Sequence, residues 1–306
     1  MNIEYAIIVR SKTRLEVLIE QFNTQAQAKF YIEHNGGNFA EYQMEHQRFS
    51  ASLDYIQQRL SRVLKYKIID RSYLPSYIFS ENNLIIVVGQ DGLVANTAKY
   101  AKDIPILAVN PDPGRHDGVL LPFVPNNFLG GVEQVLSGKF YSRKLHFAEA
   151  KMNDGQRLLA FNDLFIGAAS HVSARYKIGY KNQQEEHSSS GIIVSTSVGA
   201  TGWLSSIFNM ANGVTVFFEQ DLKLKKPQLL NDELLFVVRE PFKSLKTQTG
   251  ITIGKVDRQH PLSVESFMPQ RGVIFSDGIE SDFLNFNSGA RVNIGIAPET
   301  ATLITA

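Results

Sequence analysis

The sequence predicts an α/β protein: an amino-terminal domain built on a parallel sheet, then a β-rich carboxy-terminal domain. Two observations carry this. Strand and helix patterns alternate through the first third of the chain, as in βαβ units. After about Leu121, short apolar runs separated by polar or glycine-rich turns take over. The 306 residues suffice for two domains with cores of their own. Prolines and asparagines cluster at Pro122–Asn127, so the expected domains are residues 1–124 and 125–306.

Glu4–Val9 reads as a buried strand. A helical stretch follows, with Thr13 as its N-cap and Gly36-Gly37 as its stop. A second stretch, about Glu41–Leu64, carries Leu53, Ile56, Leu60, Val63 and Leu64 at helical spacing. Tyr66–Asp70, Leu84–Val88 and Pro105–Val109 read as strands, with a short helix over Leu93–Lys102. In the second part, "LLAFNDLFIGAA", "ARYKIGY", "GIIVSTS", "ELLFVVRE", "ITIGKV", "GVIFSDG" and "ARVNIGIA" are strand patterns. One helix is expected there, around Trp203–Met210. The polar run Lys181–Ser190 reads as a hairpin loop.

Composition narrows the function. The formal net charge is +1, so no global field recruits nucleic acid or anionic lipid. The absence of cysteine excludes disulfides, zinc–thiolate sites and thiol nucleophiles, and it fits a reducing compartment. The first residues read neither as a signal peptide nor as a transit sequence, and no apolar run is long enough to span a bilayer. A cytoplasmic protein without membrane or nucleic-acid partners is expected. The seven histidines show no H-E-x-x-H spacing, so no metal site of the protein's own is expected. Lys223–Lys226 reads as a solvated charge run.

The strand pattern Leu84–Val88 stops at Gly89-Gln90-Asp91-Gly92. Ligands of open α/β sheets lie beyond the carboxyl ends of strands, where glycines let backbone amides approach phosphate and a helix start favours anions. A carboxylate there repels phosphate unless it takes a proton or helps hold Mg²⁺. The other reading is a plain turn in which Asp91 caps the next helix. Neither G-x-G-x-x-G nor G-x-x-x-x-G-K-[ST] is present. Three later segments join this turn: "VNPDPGRHDGVLLP", with Asn110, Asp112 and Asp117; "AFNDLFIGAASHVSARYKI", with Asn162-Asp163 inside a strand pattern; and "SSGIIVSTSVGATGWLSSI", a strand, a Ser/Thr/Gly turn and a helix start.

Together these resemble the NAD kinase family, within the superfamily that includes diacylglycerol and sphingosine kinases. In this order the family carries a GGDG-type turn, an Asn-Glu pair and a TPTGSTAY-like turn. The resemblance is nearest to the mitochondrial type and its bacterial relatives, and it covers Leu84 to about Met210. It implies ATP as donor, Mg²⁺ as cofactor, NAD as acceptor and NADP as product, with a homodimer or higher homo-oligomer. It makes Asp91 the general base toward the 2′-hydroxyl of the adenosine ribose. Gly89, Gln90, Gly92 and Gly199 fall on phosphate-binding positions. Asn162, Asp163, Thr201, Gly202, Trp203, Ser190 and Arg175 fall on the dinucleotide site, where Trp203 either stacks on a ligand ring or fills core. The site is expected in the cleft between the domains, and the last strand is expected to return to the first.

The chain departs from the family at several points. Asp163 is one methylene shorter than the family glutamate. Gln90 stands for a glycine; if that position needs positive φ, a side chain costs about 1–2 kcal/mol. Leu93 stands for a threonine whose hydrogen bond is worth about 1 kcal/mol. Val198 and Ala200 thin the polar contacts further. Three functions stay open on the sequence: NAD kinase, a related kinase acting on a lipid or sugar hydroxyl, and a catalytically weak NAD or NADP sensor.

Overall fold

The computed structural model describes residues 3–218 and 224–305, apart from the side chain of Ser281; Lys223, first of the lysine run, lies outside the described residues. The chain divides into two compact units, residues 1–144 with 301–306, and residues 145–300.

In the first unit, β1 (Tyr5–Arg10) leads into α1 (Arg14–Phe22), α2 (Gln25–His34) and α3 (Phe39–Leu60). Then come β2 (Lys65–Asp70), a 3₁₀ turn (Arg71–Ser76), β3 (Asn83–Val88), α4 (Asp91–Ala101), β4 (Pro105–Val109) and α5 (Phe128–Leu136). Thr13 closes a capping box with Glu16 at the start of α1. The single stretch expected over Thr13–Gly37 is two helices. Asn23 takes a left-handed conformation at φ 65°, and Thr24 caps α2 anew.

The strands are parallel in the order β2-β1-β3-β4. All six residues of β3 are buried, as a sheet covered on both faces requires. Each fully buried Val or Ile there contributes about 1.5–3 kcal/mol. Ile8, Ile86 and Val88 pack with Leu53, Ile56 and Leu60 of α3 and with Phe128, Val132 and Val135 of α5. Because α5 belongs to this core, the break between units falls after Lys144. The sequence reading expected no helix there: "FLGGVEQVL" holds two glycines, poor helix formers, and tertiary packing overrides them.

The second unit holds β5 (Ser142–Met152), β6 (Arg157–Ala160), β7 (Asp163–Ala168), β8 (Ala174–Tyr180), β9 (Gln183–Ser189) and β10 (Ile192–Ser195). It continues with α6 (Trp203–Phe217), β11 (Leu234–Val238), β12 (Ile253–Val256), β13 (Leu262–Ser266), β14 (Gly272–Ser276), β15 (Ile279–Asn285) and β16 (Arg291–Ile304), whose last four residues belong to the first unit. One sheet runs β12-β11-β10-β7-β14-β15, and another carries β16-β13-β8-β9. Their inner faces share a core that includes Leu164, Ile166, Tyr176, Ile178, Phe236 and Ile274. The polar run expected to be a loop is mostly strand β9, paired along its length with β8. Only Lys181 and Asn182 turn, both at positive φ as a two-residue hairpin demands. β16 ends by pairing Thr302 and Leu303 in parallel with Pro105 and Ile106 of β4. No helix among the described residues is long and apolar enough to cross a membrane.

Candidate functional site

In the first unit, a cavity of about 500 Å³ opens at the carboxyl ends of the parallel strands. Its walls include Gly89, Gln90 and Gly92 of the glycine turn. They also include Lys12 and Arg14 after β1, Arg71 after β2, and Arg115 and His116 after β4. The strand order places β2 on one side of β1 and β3 on the other, so the cavity sits where the winding reverses, the usual ligand position of such sheets. The basic side chains were not read from the sequence, although Lys12 and Arg14 follow directly on a strand end.

Asp91 begins α4. Its carboxylate is turned to the segment after β4: the Leu120 amide donates to Oδ1 at 2.7 Å and the Val119 amide to Oδ2 at 3.3 Å. No acceptor among the described residues takes the amide protons of Asp91 and Gly92, which leaves a helix start open to an anion. Gln90 has φ −109° and ψ 167°, an extended conformation open to any residue. The strain foreseen for a side chain at this position is therefore absent. Its amide lies 3.1 Å from Nε2 of His116, which lines the cavity. Leu93 is buried and lies over Gly89, where a Cβ would meet its Cδ2 at 2.9 Å.

In the second unit, Asn162 and Asp163 stand at the break between β6 and β7, so Asn162 lies outside the strand pattern expected for it. Three successive amides, of Phe161, Asn162 and Asp163, donate to the Asp277 carboxylate at 3.0, 2.6 and 3.3 Å. Asp277 sits at φ 54° in the turn between β14 and β15. Thr196 completes the frame: its hydroxyl donates to the Phe161 carbonyl at 2.6 Å and its amide to the Asn162 carbonyl at 2.9 Å. Gly199 lies so close that a Cβ would stand 2.2 Å from the Asn162 oxygen. This glycine is required by backbone approach.

Asp163 is partly buried, and its Oδ1 has no hydrogen-bond partner. Burial raises its pKa from 3.8 to about 7; the Ser195 hydroxyl opposes the rise and the nearby Asp277 carboxylate adds to it. Trp203 stacks on Phe165, with ring centroids 5.8 Å apart and planes 9° from parallel. The Arg239 guanidinium lies 5.5 Å from the Trp203 ring centroid. The exposed Ser190 donates its amide to the Arg239 carbonyl at 2.9 Å, so Ser190, Arg239 and Trp203 form one group. Thr201 and Gly202 are exposed just before α6. Arg175 is exposed on β8 of the other sheet, and no hydrogen bond or ion pair among the described residues ties it to this group. Among the described residues no cluster of three or more His, Asp or Glu side chains is arranged to hold a metal ion.

No family model matches the chain. Among curated proteins, the NAD kinase of Caldanaerobacter subterraneus is 28% identical over 134 residues, 41% of this chain and 46% of that protein. The NAD kinase of Citrifermentans bemidjiense is 28% identical over 174 residues, 52% of this chain and 56% of that one. The matched region thus spans about half the length of these relatives. The crystal structure of an Archaeoglobus fulgidus NAD kinase in complex with ATP superposes with a TM-score of 0.58 at 14% identity, covering 98% of this chain and 93% of that one. Yeast NADH kinase complexed with NADH gives 0.59 at 12%, covering 100% and 84%. The α/β unit and the β-rich unit expected from the sequence are those of this fold.

Proposed function

We propose, for a chain that belongs to the NAD kinase family, that it transfers the γ-phosphoryl group of ATP to the 2′-hydroxyl of the adenosine ribose of NAD. The observation that carries the proposal is the glycine turn between β3 and α4, which opens onto a basic cavity and sets a carboxylate at the helix start. The 2′-oxygen forms a bond to the γ-phosphorus while the bond from that phosphorus to the β–γ bridging oxygen breaks. ADP leaves, and the hydroxyl proton passes to Asp91. The two amide bonds orient the Asp91 carboxylate, and each oxygen keeps a lone pair for a further donor.

Phosphoryl transfer is mostly positioning and charge stabilisation. Gly89, Gln90 and Gly92 shape the turn beside the donor phosphates. Gly199 fixes the backbone that carries Asn162 and Asp163 toward the dinucleotide. Thr201, Gly202, Trp203 and Ser190 line its path, and Trp203, already stacked on Phe165, offers an edge and a partly covered face rather than a free ring. Arg175 joins only as an outer cation toward phosphate. Among the described residues no three His, Asp or Glu side chains form a metal cage; Mg²⁺ carried by the phosphate chain would offset its charge. The proposed protein acts in the cytoplasm as a homo-oligomer.

Asp91→Asn tests the base. The variant should lose NADP formation by about 100-fold or more, the usual worth of general-base catalysis, with NAD affinity and the unfolding transition retained. Full activity in that variant overturns the assignment. The sensor reading draws support from Leu93, an apolar side chain where the family carries a hydroxyl, and predicts NAD or NADP binding without turnover.

A further inference from the structure

The cavity contains an anion of the protein's own. Glu45, on α3, lines it beside Arg14 and Arg115. A single carboxylate oxygen, Oε2, accepts from Arg14 Nε at 2.8 Å and from Arg14 Nη2 at 2.5 Å, and it forms an ion pair with Arg115 Nη1 at 3.2 Å. Two guanidinium groups from separate segments thus converge on one oxygen. The Glu45 side chain is 20% exposed, against 47% for Arg14 and 36% for Arg115, so the carboxylate is the inner member of the group. Arg71 and Lys12 line the same cavity; Lys12 pairs with Glu20, while Arg71 has no ion pair among the described residues.

We propose that Glu45 is a built-in competitor for the phosphate chain of the donor: it occupies the place of a phosphate oxygen between Arg14 and Arg115, and the incoming chain displaces it. The inference rests on the kinase reading above and adds what regulates entry to that site. A phosphate brings more negative charge than a carboxylate and presents several acceptor oxygens to the same guanidinium forks. Binding therefore exchanges one anion for another, and affinity is reduced by whatever Glu45 contributes.

The exchange reaches Asp91 through the segment after β4. That segment is tied to α3 by Glu45–Arg115, by Arg48–Asp112 at 3.3 Å and by the Ser52 hydroxyl on the Pro111 carbonyl at 2.7 Å. Farther along, its Val119 and Leu120 amides hold the Asp91 carboxylate. Releasing Arg115 from Glu45 frees one of the three ties, so donor binding and the setting of Asp91 are linked.

The test is titration of the intact chain with ATP and with inorganic tripolyphosphate, by calorimetry, for the native protein, Glu45→Gln and Arg115→Gln, with melting curves as a check on folding. Glu45→Gln should bind both ligands about tenfold more tightly, the scale of a charge-assisted contact removed from competition. Arg115→Gln should bind both more weakly. A gain in affinity is not a result that misfolding produces. No gain with either ligand, or a gain with ATP and none with tripolyphosphate, overturns the proposal. NADP formation is followed on the same samples. A chain that makes no NADP but shows the gain retains the phosphate subsite and loses the kinase reading. An active kinase without the gain loses this inference alone.

Discussion

Asp91 in the first unit and Asp163 in the second are both aspartates at the start of an element beside a candidate site, and their surroundings differ. Asp91 has an amide on each carboxylate oxygen, and its turn opens onto a basic cavity. Asp163 has one oxygen without a partner, partial burial and a second carboxylate nearby. The first environment holds a carboxylate in one orientation by two backbone amides. The second makes the charged form costly and leaves a polar atom waiting for a partner. The same residue type is thus held as an amide-bonded carboxylate in one unit and as a group with its pKa raised by burial in the other.

The largest effect expected from breaking this comparison comes from the backbone frame around Asp163. Gly199→Ala puts a methyl group 2.2 Å from the Asn162 carbonyl oxygen. The chain or its neighbour must shift, and a loss of about 3 kcal/mol in urea unfolding is expected, with weakened NAD binding. Unchanged stability would show that the approach of Gly199 to Asn162 leaves room for a methyl group.

A smaller effect sharpens the contrast in charge. The Asp163 carboxyl is raised from 3.8 to about 7, so the folded chain holds its proton more tightly than the unfolded chain does. Its contribution to stability is complete below about pH 4 and is lost as pH rises through about 7. Asp163→Asn should flatten that part of the stability profile and be about 2 kcal/mol more stable than the native chain at pH 8. Denaturation midpoints between pH 4 and 8 decide it, and parallel profiles for the two proteins would contradict the assignment.

The smallest effect lies in the glycine turn. Gln90→Gly removes the contact with His116 and relieves no strain, since φ at this residue is −109°. Stability should fall by under about 1 kcal/mol, and NADP formation should stay within about twofold. A large gain in rate would mean that Gln90 obstructs the donor.

The contrast also shows what the sequence made legible. The alternation of strand and helix, the full burial of β3 and the carboxylate in its following turn follow from local pattern, and local pattern was enough to find them. Pairs that meet only through the fold were not legible. Glu45 looked like one more polar residue on a long helix until Arg14 and Arg115 were brought to it. Asp277 lay in a strand pattern with no assigned role until three amides from Phe161–Asp163 came to it. Helix α5 was hidden for a related reason, because tertiary contact with the sheet compensates for its two glycines. The penalty foreseen for Gln90 depended on a backbone angle that residue identity alone does not fix.

The proposed reaction is the phosphorylation of NAD with the turn Gly89–Gly92 at the donor. The most direct measurement is NADP formation by the purified protein supplied with ATP, Mg²⁺ and NAD, read with an NADP-specific dehydrogenase. Sustained NADP formation matched by ADP release is the predicted result. ADP release without NADP would mean that the γ-phosphoryl group goes to water or to another hydroxyl, and would contradict transfer to the ribose 2′-hydroxyl. Binding of NAD or NADP with no turnover would contradict the proposed reaction and leave a dinucleotide sensor on this fold.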